Sequence, residues 1–548
     1  MNLEALLADR LAAPLAAVAG FPVDPVVRRS QHADFQSAAA LALAKRTGRP
    51  PWAIATDVAA AASAHLAGLA TVRVSRPGFL NVTVDDAVLA SAVDDLDDRL
   101  GVPPAARPER VVIDYSAPNA AKEMQIGHLR STIIGDALAQ LLGWLGHDVV
   151  RANHLGDWGT PFGMLIEHMV ELGHDRARHS LGDLTGFYRV ARAKFDSDED
   201  FRVRARRRVV ALQSGDELSR TLWTQLVEQT ERNFLDTYAR LGVTLTGGDF
   251  VGESFYQERL ASVVDDLAAR GLLVESEGAL CVFPDGFTGR DGEPLPLIVR
   301  KSDGGFGYAA TDLAAVRHRA GDLKADRLLY VVGAPQRTHF RMVFAVARAA
   351  GWLPAAVTAE HIEFGSILGD DGKAFRTRAG DNVRLDDLLD EADSRASSAA
   401  VGIGAIKYAD LAGDRRSDYV FDWDRMLAST GNTGPYLQYA CARIRSIFRR
   451  GASEPGPVVL AEPAERRLAL ALLGFEPAVT AAADLREPHR LAGYLHDLAV
   501  AFSAFYETCP VLRSDGATRA SRLTLADRTA RTLGLGLGLL GIDIPGEM

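Results

Sequence analysis

Cysteine is scarce in this chain. There are three in 548 residues, Cys281, Cys441 and Cys509, far apart. That excludes a disulfide framework and a zinc-spaced cluster, and it fits a reducing cytoplasm. No uninterrupted apolar run reaches the roughly 18 residues a membrane helix needs, so no membrane association is expected. The opening MNLEALLADRLAAPLAAV carries Glu4, Asp9 and Arg10 where a secretory leader would show a basic head and a clean apolar stretch. An excess of positive charge is also missing: the net charge is -10 and the pI about 5.8. A protein that coats nucleic acid over its whole surface, DNA included, is therefore not expected. A confined basic face remains open, because binding follows charge distribution.

What is present points to a folded, multidomain protein. Hydrophobic residues make up 47% and charged residues 24%, with mean hydropathy of -0.00. Such a chain buries enough apolar surface to offset its conformational entropy. One core rarely serves more than about 250–300 residues, so three or four domains are expected.

Residues 1–90 form one compositional unit. Leu3, Leu6, Leu7, Leu11 and Leu15 share a helical face, Ser37 to Lys45 reads as an Ala-rich helix, and TVRVSRPGFLNVTV reads as two strands around Pro77-Gly78. Gly101 to Pro108 reads as a linker. RVVIDY (110–115) has the length and β-branching of a buried strand. The loop SAPNAAKEMQIG follows it, then a helix from His128 that ends at Gly146, then the strand DVVRAN (148–153). Strand, loop, helix, strand is the unit of a parallel nucleotide-binding sheet. LLYVVG (328–333) with a helix from about His339 repeats it after a long insert. Within that insert FRVRARRRVV (201–210) is a basic helical run, read as a solvated face with phosphate contact as the sharper alternative. From Asn432 the pattern is helix after helix.

The loop after the first strand holds the candidate chemistry. It lacks GxGxxG spacing, and no GxxxxGK[ST] occurs, so dinucleotide and P-loop readings lose support. A helix N-terminus suits a phosphate. Gly127 there permits close approach of a flat ring, His128 can donate to a phosphate oxygen, and Lys122 adds a mobile charge. In YAATD, Tyr308 and Asp312 stand at i, i+4 and share a helical face. That spacing is also common on plain helix surfaces.

Taken together, SAPNAAKEMQIGHLRSTIIGDAL, HADFQSAAALALAKRTGR, RPGFLNV, NHLGDWGTPFGML, GYAATDLAA, VVGAPQRTHF, GNTGPYLQYACARIRSI and EPHRLAGYLHDLAVAFSAFYETCPVL resemble the class I aminoacyl-tRNA synthetases, and within them the arginyl-tRNA synthetases. The segments cover nearly the whole chain in the right order. The resemblance implies an α/β multidomain fold: an N-terminal α+β domain (1–90) that contacts tRNA, a Rossmann-type catalytic domain with insertions (106–365), a connecting domain with a KMSKS-like loop (366–430) and an all-α anticodon-binding bundle (431–548).

It further implies ATP-dependent arginylation of tRNA-Arg through an adenylate. Mg²⁺ would arrive with ATP, with no dedicated protein metal site. The expected partners are arginine, ATP and tRNA-Arg, and the expected state is a cytoplasmic monomer. The family places Asn119, His128, Tyr308, Asp312 and Gln336 on bound arginine, with Asp114 nearby. It places Gln125, Gly127 and His128 on ATP, and at the KMSKS-like stretch GDDGKAFRTRAGD it offers Lys373, Arg376 and Arg378 for pyrophosphate. Tyr436, Tyr439, Arg443 and Arg445 are the anticodon candidates, with helix-core packing as their plainer reading. His154 and Asp157 read as turn structure in preference to active-site wall. Gln125 departs from the family pattern, which has His there. It keeps two other readings in play: a paralogue with a biosynthetic or resistance role, and a catalytically weak tRNA-binding relic.

Overall fold

The computed structural model describes residues 2–173, 184–289, 291–375, 383–450 and 454–546. The chain divides into two compact units. One joins residues 1–104 to 429–538 and 544–548, and the other comprises 105–428 and 539–543.

The first unit opens with helix α1 (Leu3–Ala19), started by the Asn2 side chain accepting from the Ala5 N–H at 3.0 Å. Strands β1 (Val27–Arg29) and β2 (Phe35–Ser37) precede α2 (Ala39–Thr47) and α3 (Pro51–His65). Strands β3 (Ala70–Ser75) and β4 (Phe79–Val84) precede α4 (Asp86–Asp94). The sheet is antiparallel in the order β1-β2-β4-β3, and β3 and β4 are the expected hairpin. Ser37, expected to open a helix, ends β2 instead. It pairs with Leu80, and its buried hydroxyl donates to the Pro25 carbonyl, so its backbone is committed to the sheet.

The second unit contains the parallel sheet. Strand β5 (Arg110–Asp114) leads through α5 (Ile126–Trp144) to β6 (Asp148–Ala152). The insert adds α6 (Thr160–Leu172), α7 (Leu184–Ser197), α8 (Glu199–Gln213) and α9 (Glu217–Leu241). Helix α10 (Glu253–Ala269) and a small antiparallel sheet β7 (Val274–Ser276), β8 (Ala279–Val282) and β9 (Leu297–Arg300) follow. Helix α11 (Tyr308–Arg317) runs into a π-helical turn, His318–Asp322. Strand β10 (Arg327–Tyr330), α12 (Arg337–Ala349) and β11 (Thr358–His361) form the second half.

The order β11-β10-β5-β6 is parallel throughout. The two halves wind in opposite directions from the adjacent strands β5 and β10. Open α/β sheets bind ligands at that switch point, beyond the C-terminal strand ends. Helix α5 lies close on β5 because Gly135 faces Tyr115, where a Cβ would sit 2.3 Å from the ring. The basic run lies in α8, where Arg204 and Arg208 pair with Glu167 of α6. Strands β12 (Ile367–Leu368) and β13 (Tyr419–Val420), with α13 (Leu385–Arg395), α14 (Ala399–Leu411) and α15 (Trp423–Met426), complete this unit.

The first unit resumes with helices α16 (Gly434–Arg450), α17 (Pro463–Leu472), α18 (Phe475–Leu485), α19 (His489–Thr508) and α20 (Gly516–Leu539). A buried Arg522–Glu465 pair at 2.6 Å fixes α20 on α17. Arg466 binds Asp34 through two bonds of 2.6 and 2.7 Å, tying the bundle to the β-sheet of the same unit. Pro463–Leu485 has the length and apolarity of a membrane span. It is broken between α17 and α18, and Leu468, Leu472, Phe475 and Val479 are buried in the bundle.

Candidate active site

The site forms where loops leave the ends of β5, β6 and β10. The loop after β5 registers on the loop after β6: Asn119 bridges Gly156, and the Ala120 N–H donates to the Gly156 carbonyl at 3.0 Å. A Cβ on Gly156 would lie 2.4 Å from Asn119 Oδ1, so only glycine leaves that amide in place. Asp157 binds the Ser254 N–H at 2.9 Å and its hydroxyl at 2.6 Å, and so holds the first turn of α10. Asp157 also lines the cleft that opens beside it.

A cleft of about 1940 Å³ opens here, lined by Asn119, Lys122, Glu253 and Tyr308 among others. Tyr308 begins α11 and is 79% exposed. Asp312, one turn on, is half-buried and bonded to His339 Nε2 at 2.6 Å. Gln336 ends the short 3₁₀ turn after β10, is exposed, and stands at the same edge of the sheet.

Glu253, at the start of α10, was not singled out from the sequence. No described residue bonds its carboxylate. Burial first, then the like charges of Asp157 and Asp312, push it up to about 7, with His154 partly offsetting them. VGESF carries no motif that would have revealed it, because its environment comes from Asp157 and Asp312, far away in sequence.

Asp114 lies beneath the cleft. Its carboxylate is 2.7 Å from Arg319 Nη1 and 3.8 Å from His154 Nδ1, and the residue is 4% exposed. Burial opposes its charge, but Arg319 and then His154 hold the carboxyl below the usual range. Both contacts fall on Oδ2, so the Asp114 carboxylate is anchored from one side by Arg319 and His154. Burial likewise opposes a charge on His154, and Asp114 outweighs it and raises its pKa.

The N-terminus of α5 follows the loop that carries Asn119 and Lys122. Gln125 is its N-cap, and the Ile126 N–H donates to the Val383 carbonyl at 3.0 Å. The Gln125 N–H lies 3.0 Å from His128 Nδ1 and the Gln125 carbonyl oxygen 3.2 Å from the same nitrogen, so both hold the ring by that edge. Burial, aided by the charge of Lys122, keeps this imidazole pKa below its ordinary value. Nothing lies within 4 Å of a Cβ built on Gly127, so the space beside the helix end is open to a flat ring. Lys122 rests 4.5 Å from the Tyr188 ring centroid. Lys373 sits exposed on the turn that follows β12. Arg376 and Arg378 lie outside the described residues.

In the helical bundle Tyr436 turns inward, its hydroxyl 3.2 Å from Ser503 Oγ and its ring against His496. Tyr439 and Arg445 are exposed. The Arg443 guanidinium lies 5.4 Å from the Tyr439 ring and 5.2 Å from that of Tyr506, a residue with no motif in the sequence to mark it.

The chain matches three family models: "tRNA synthetases class I (R), catalytic domain" over residues 96–400, "Arginyl tRNA synthetase N terminal domain" over 2–84 and "DALR anticodon binding domain" over 437–548. It is 54% identical to an arginine–tRNA ligase of Thermobifida fusca, covering 100% of this chain and 99% of that protein. It is 52% identical to that of Frankia casuarinae, covering 96% and 95%. Among solved structures, the arginyl-tRNA synthetase of Plasmodium falciparum superposes with a TM-score of 0.85 at 28% identity, covering 100% and 99% of the two chains. That of Thermus thermophilus gives 0.82 at 26%, covering 100% of both. With a parallel sheet wound from a central switch point, a cleft at its edge and these matches along the whole length, the chain belongs to the class I arginyl-tRNA synthetases.

Proposed function

We propose that the cleft and the adjoining end of α5 carry out the family's reaction, ATP + L-arginine + tRNA-Arg → L-arginyl-tRNA-Arg + AMP + PPi, for protein synthesis. The observation that carries the site assignment is the acidic side of the cleft: Glu253 with no bonded partner among the described residues, Asp312 behind it and the exposed Tyr308 at its rim. A guanidinium offers five donors in a planar fork and calls for fixed carboxylates and neutral acceptors. Asp312 and Glu253 pair with it, Tyr308 closes over it, and Asn119 and Gln336 hold the rest of the amino acid. Asp114, held by Arg319 and His154 through one oxygen, is assigned to the amino-acid end of the site as an acid near the bound arginine.

The arginine carboxylate oxygen attacks the α-phosphorus of ATP and pyrophosphate leaves. The terminal ribose hydroxyl of tRNA then attacks the adenylate carbonyl, and AMP leaves. The protein positions these groups and stabilises charge. His128 Nε2–H donates to the phosphate as charge builds, Gly127 admits the adenine, and Lys122 and Lys373 supply mobile cations, with Arg376 and Arg378 assigned beside Lys373 from sequence. Mg²⁺ accompanies the triphosphate. Tyr439, Arg443 and Arg445, joined by Tyr506, present a stacking and cationic face to unpaired anticodon bases. Tyr436 supports that face from within. A cytoplasmic monomer fits this assignment, with no DNA or membrane partner.

Arginine-dependent ATP–pyrophosphate exchange, with and without tRNA-Arg, tests the reading. Exchange with arginine and none with lysine or citrulline is expected, and activation is expected to depend on tRNA. Lack of exchange with every amino acid would overturn it in favour of a tRNA-binding relic. Gln125 favours one further reading, a paralogue with a biosynthetic or resistance role. Complementation of a strain depleted of its own enzyme separates that from the housekeeping role.

A further inference from the structure

The arginine readers stand on separate segments, and one buried side chain reaches the roots of these segments. Arg319 is 1% exposed. It lies on the π-helical turn His318–Asp322 that prolongs α11, the helix carrying Tyr308 and Asp312. Its Nη1 is 2.7 Å from Asp114, the last residue of β5 and the root of the Asn119 loop. Its guanidinium carbon is 5.0 Å from the ring centroid of Tyr330, the last residue of β10 and the root of the Gln336 turn. Asp114 and Tyr330 are register partners across the two strands. Tyr256, three residues after Glu253 on α10, is buried beside the same guanidinium and packs 5.4 Å from the His154 ring.

A buried arginine is a poor way to fill a core. An apolar side chain of similar volume commonly serves stability as well or better. A π turn interrupts the helical hydrogen-bond ladder, and such turns recur at functional sites. The planar guanidinium does what an apolar group cannot: it pairs with the Asp114 carboxylate while lying against the Tyr330 ring.

We propose that Arg319 is a positioning residue for amino-acid recognition. It sets the span between the α11 readers Tyr308 and Asp312 and the strand ends that present Asn119 and Gln336. This rests on the reading of the cleft as the arginine pocket. Arg319 touches no substrate. Its effect falls on arginine and not on ATP, because the α5 terminus that faces ATP is anchored separately through Ile126 and Val383.

The test is Arg319→Lys, which keeps the charge and loses the fork, in the full-length enzyme with tRNA-Arg. Michaelis constants for arginine and ATP are measured by pyrophosphate exchange, with thermal unfolding alongside. The KM for arginine is expected to rise about tenfold or more while that for ATP stays within about twofold. A folded variant with both constants unchanged, or with both raised together, overturns the proposal. Tyr256→Phe, a gentler change beside the same guanidinium, decides the matter if the lysine variant does not fold. A several-fold rise confined to the arginine KM supports the proposal, and no rise overturns it. A wild-type enzyme without arginine-dependent exchange would instead overturn the reading of the pocket itself.

Discussion

Replacing Glu253 by Gln should make the protein more stable and the enzyme worse. The carboxyl titrates near 7 in the fold, against an ordinary value of 4.5. Each tenfold gain in proton affinity corresponds to about 1.4 kcal/mol, so ionising the group in the folded protein costs on the order of 2–3 kcal/mol after allowance for its partial exposure. The sign follows from the raised value. Stability relative to Gln is unaffected below about pH 4.5, falls as pH rises, and the full cost is present above about 7. Glu253→Gln should raise Tm at pH 8 and leave it nearly unchanged at pH 5.

Substrate binding runs the other way. A guanidinium beside the ionised carboxylate recovers that cost and adds a charge-assisted bond of about 1.5–3 kcal/mol, so the variant's KM for arginine should rise by roughly one to two orders of magnitude. In the wild type, log kcat/KM for arginine should climb with a slope approaching one below about pH 7, since binding requires the carboxylate. In the variant that slope should vanish. Pyrophosphate exchange across pH 5.5–8.5 and differential scanning fluorimetry read both effects. An unchanged arginine KM, or a lower Tm at pH 8, would refute the reasoning.

Three further outcomes are expected. Gly156→Ala drives a methyl group onto the Asn119 amide and should raise the arginine KM about tenfold in exchange assays, with Tm falling by only a few degrees. Gln125→His restores a side chain able to carry charge beside the reacting phosphates and should raise the kcat of exchange at constant arginine KM. The ceiling is set by about 2–4 kcal/mol for one charge-stabilising donor, and a lower kcat would argue that the N-cap geometry matters more. Arg443→Ala removes the cation held between Tyr439 and Tyr506 and should raise the KM for tRNA-Arg about three- to tenfold in aminoacylation, while kcat at saturating tRNA stays near wild type.

Much of the architecture was legible in the chain because its signals are local. RVVIDY and DVVRAN are β-branched runs of strand length, the first buried and the second at the sheet's edge, and they pair in register from Arg110↔Asp148 to Asp114↔Ala152. Pro77-Gly78 marked the β3–β4 hairpin. The positions of Asn119, His128, Tyr308 and Gln336 at strand or helix ends follow from the same patterning. Ser37 escaped because a long-range backbone pairing overrode an Ala-rich helical context.

Only the tertiary structure decided the electrostatics. Asp114 reads from sequence as an acid at a strand end, and only the fold brings Arg319, 205 residues later, to 2.7 Å from its buried carboxylate. Glu253 reads as an unremarked surface acid, and it becomes a group that titrates near neutrality only when Asp157, Asp312 and the cleft walls surround it. Tyr436 and Tyr439, three residues apart, look equivalent in sequence until packing turns one onto Ser503 and leaves the other exposed beside Arg443. Periodicity and turn chemistry are properties of neighbouring residues, so the sequence carries them openly. Desolvation and charge pairing depend on which distant residues meet, and the sequence shows those meetings only after it has folded.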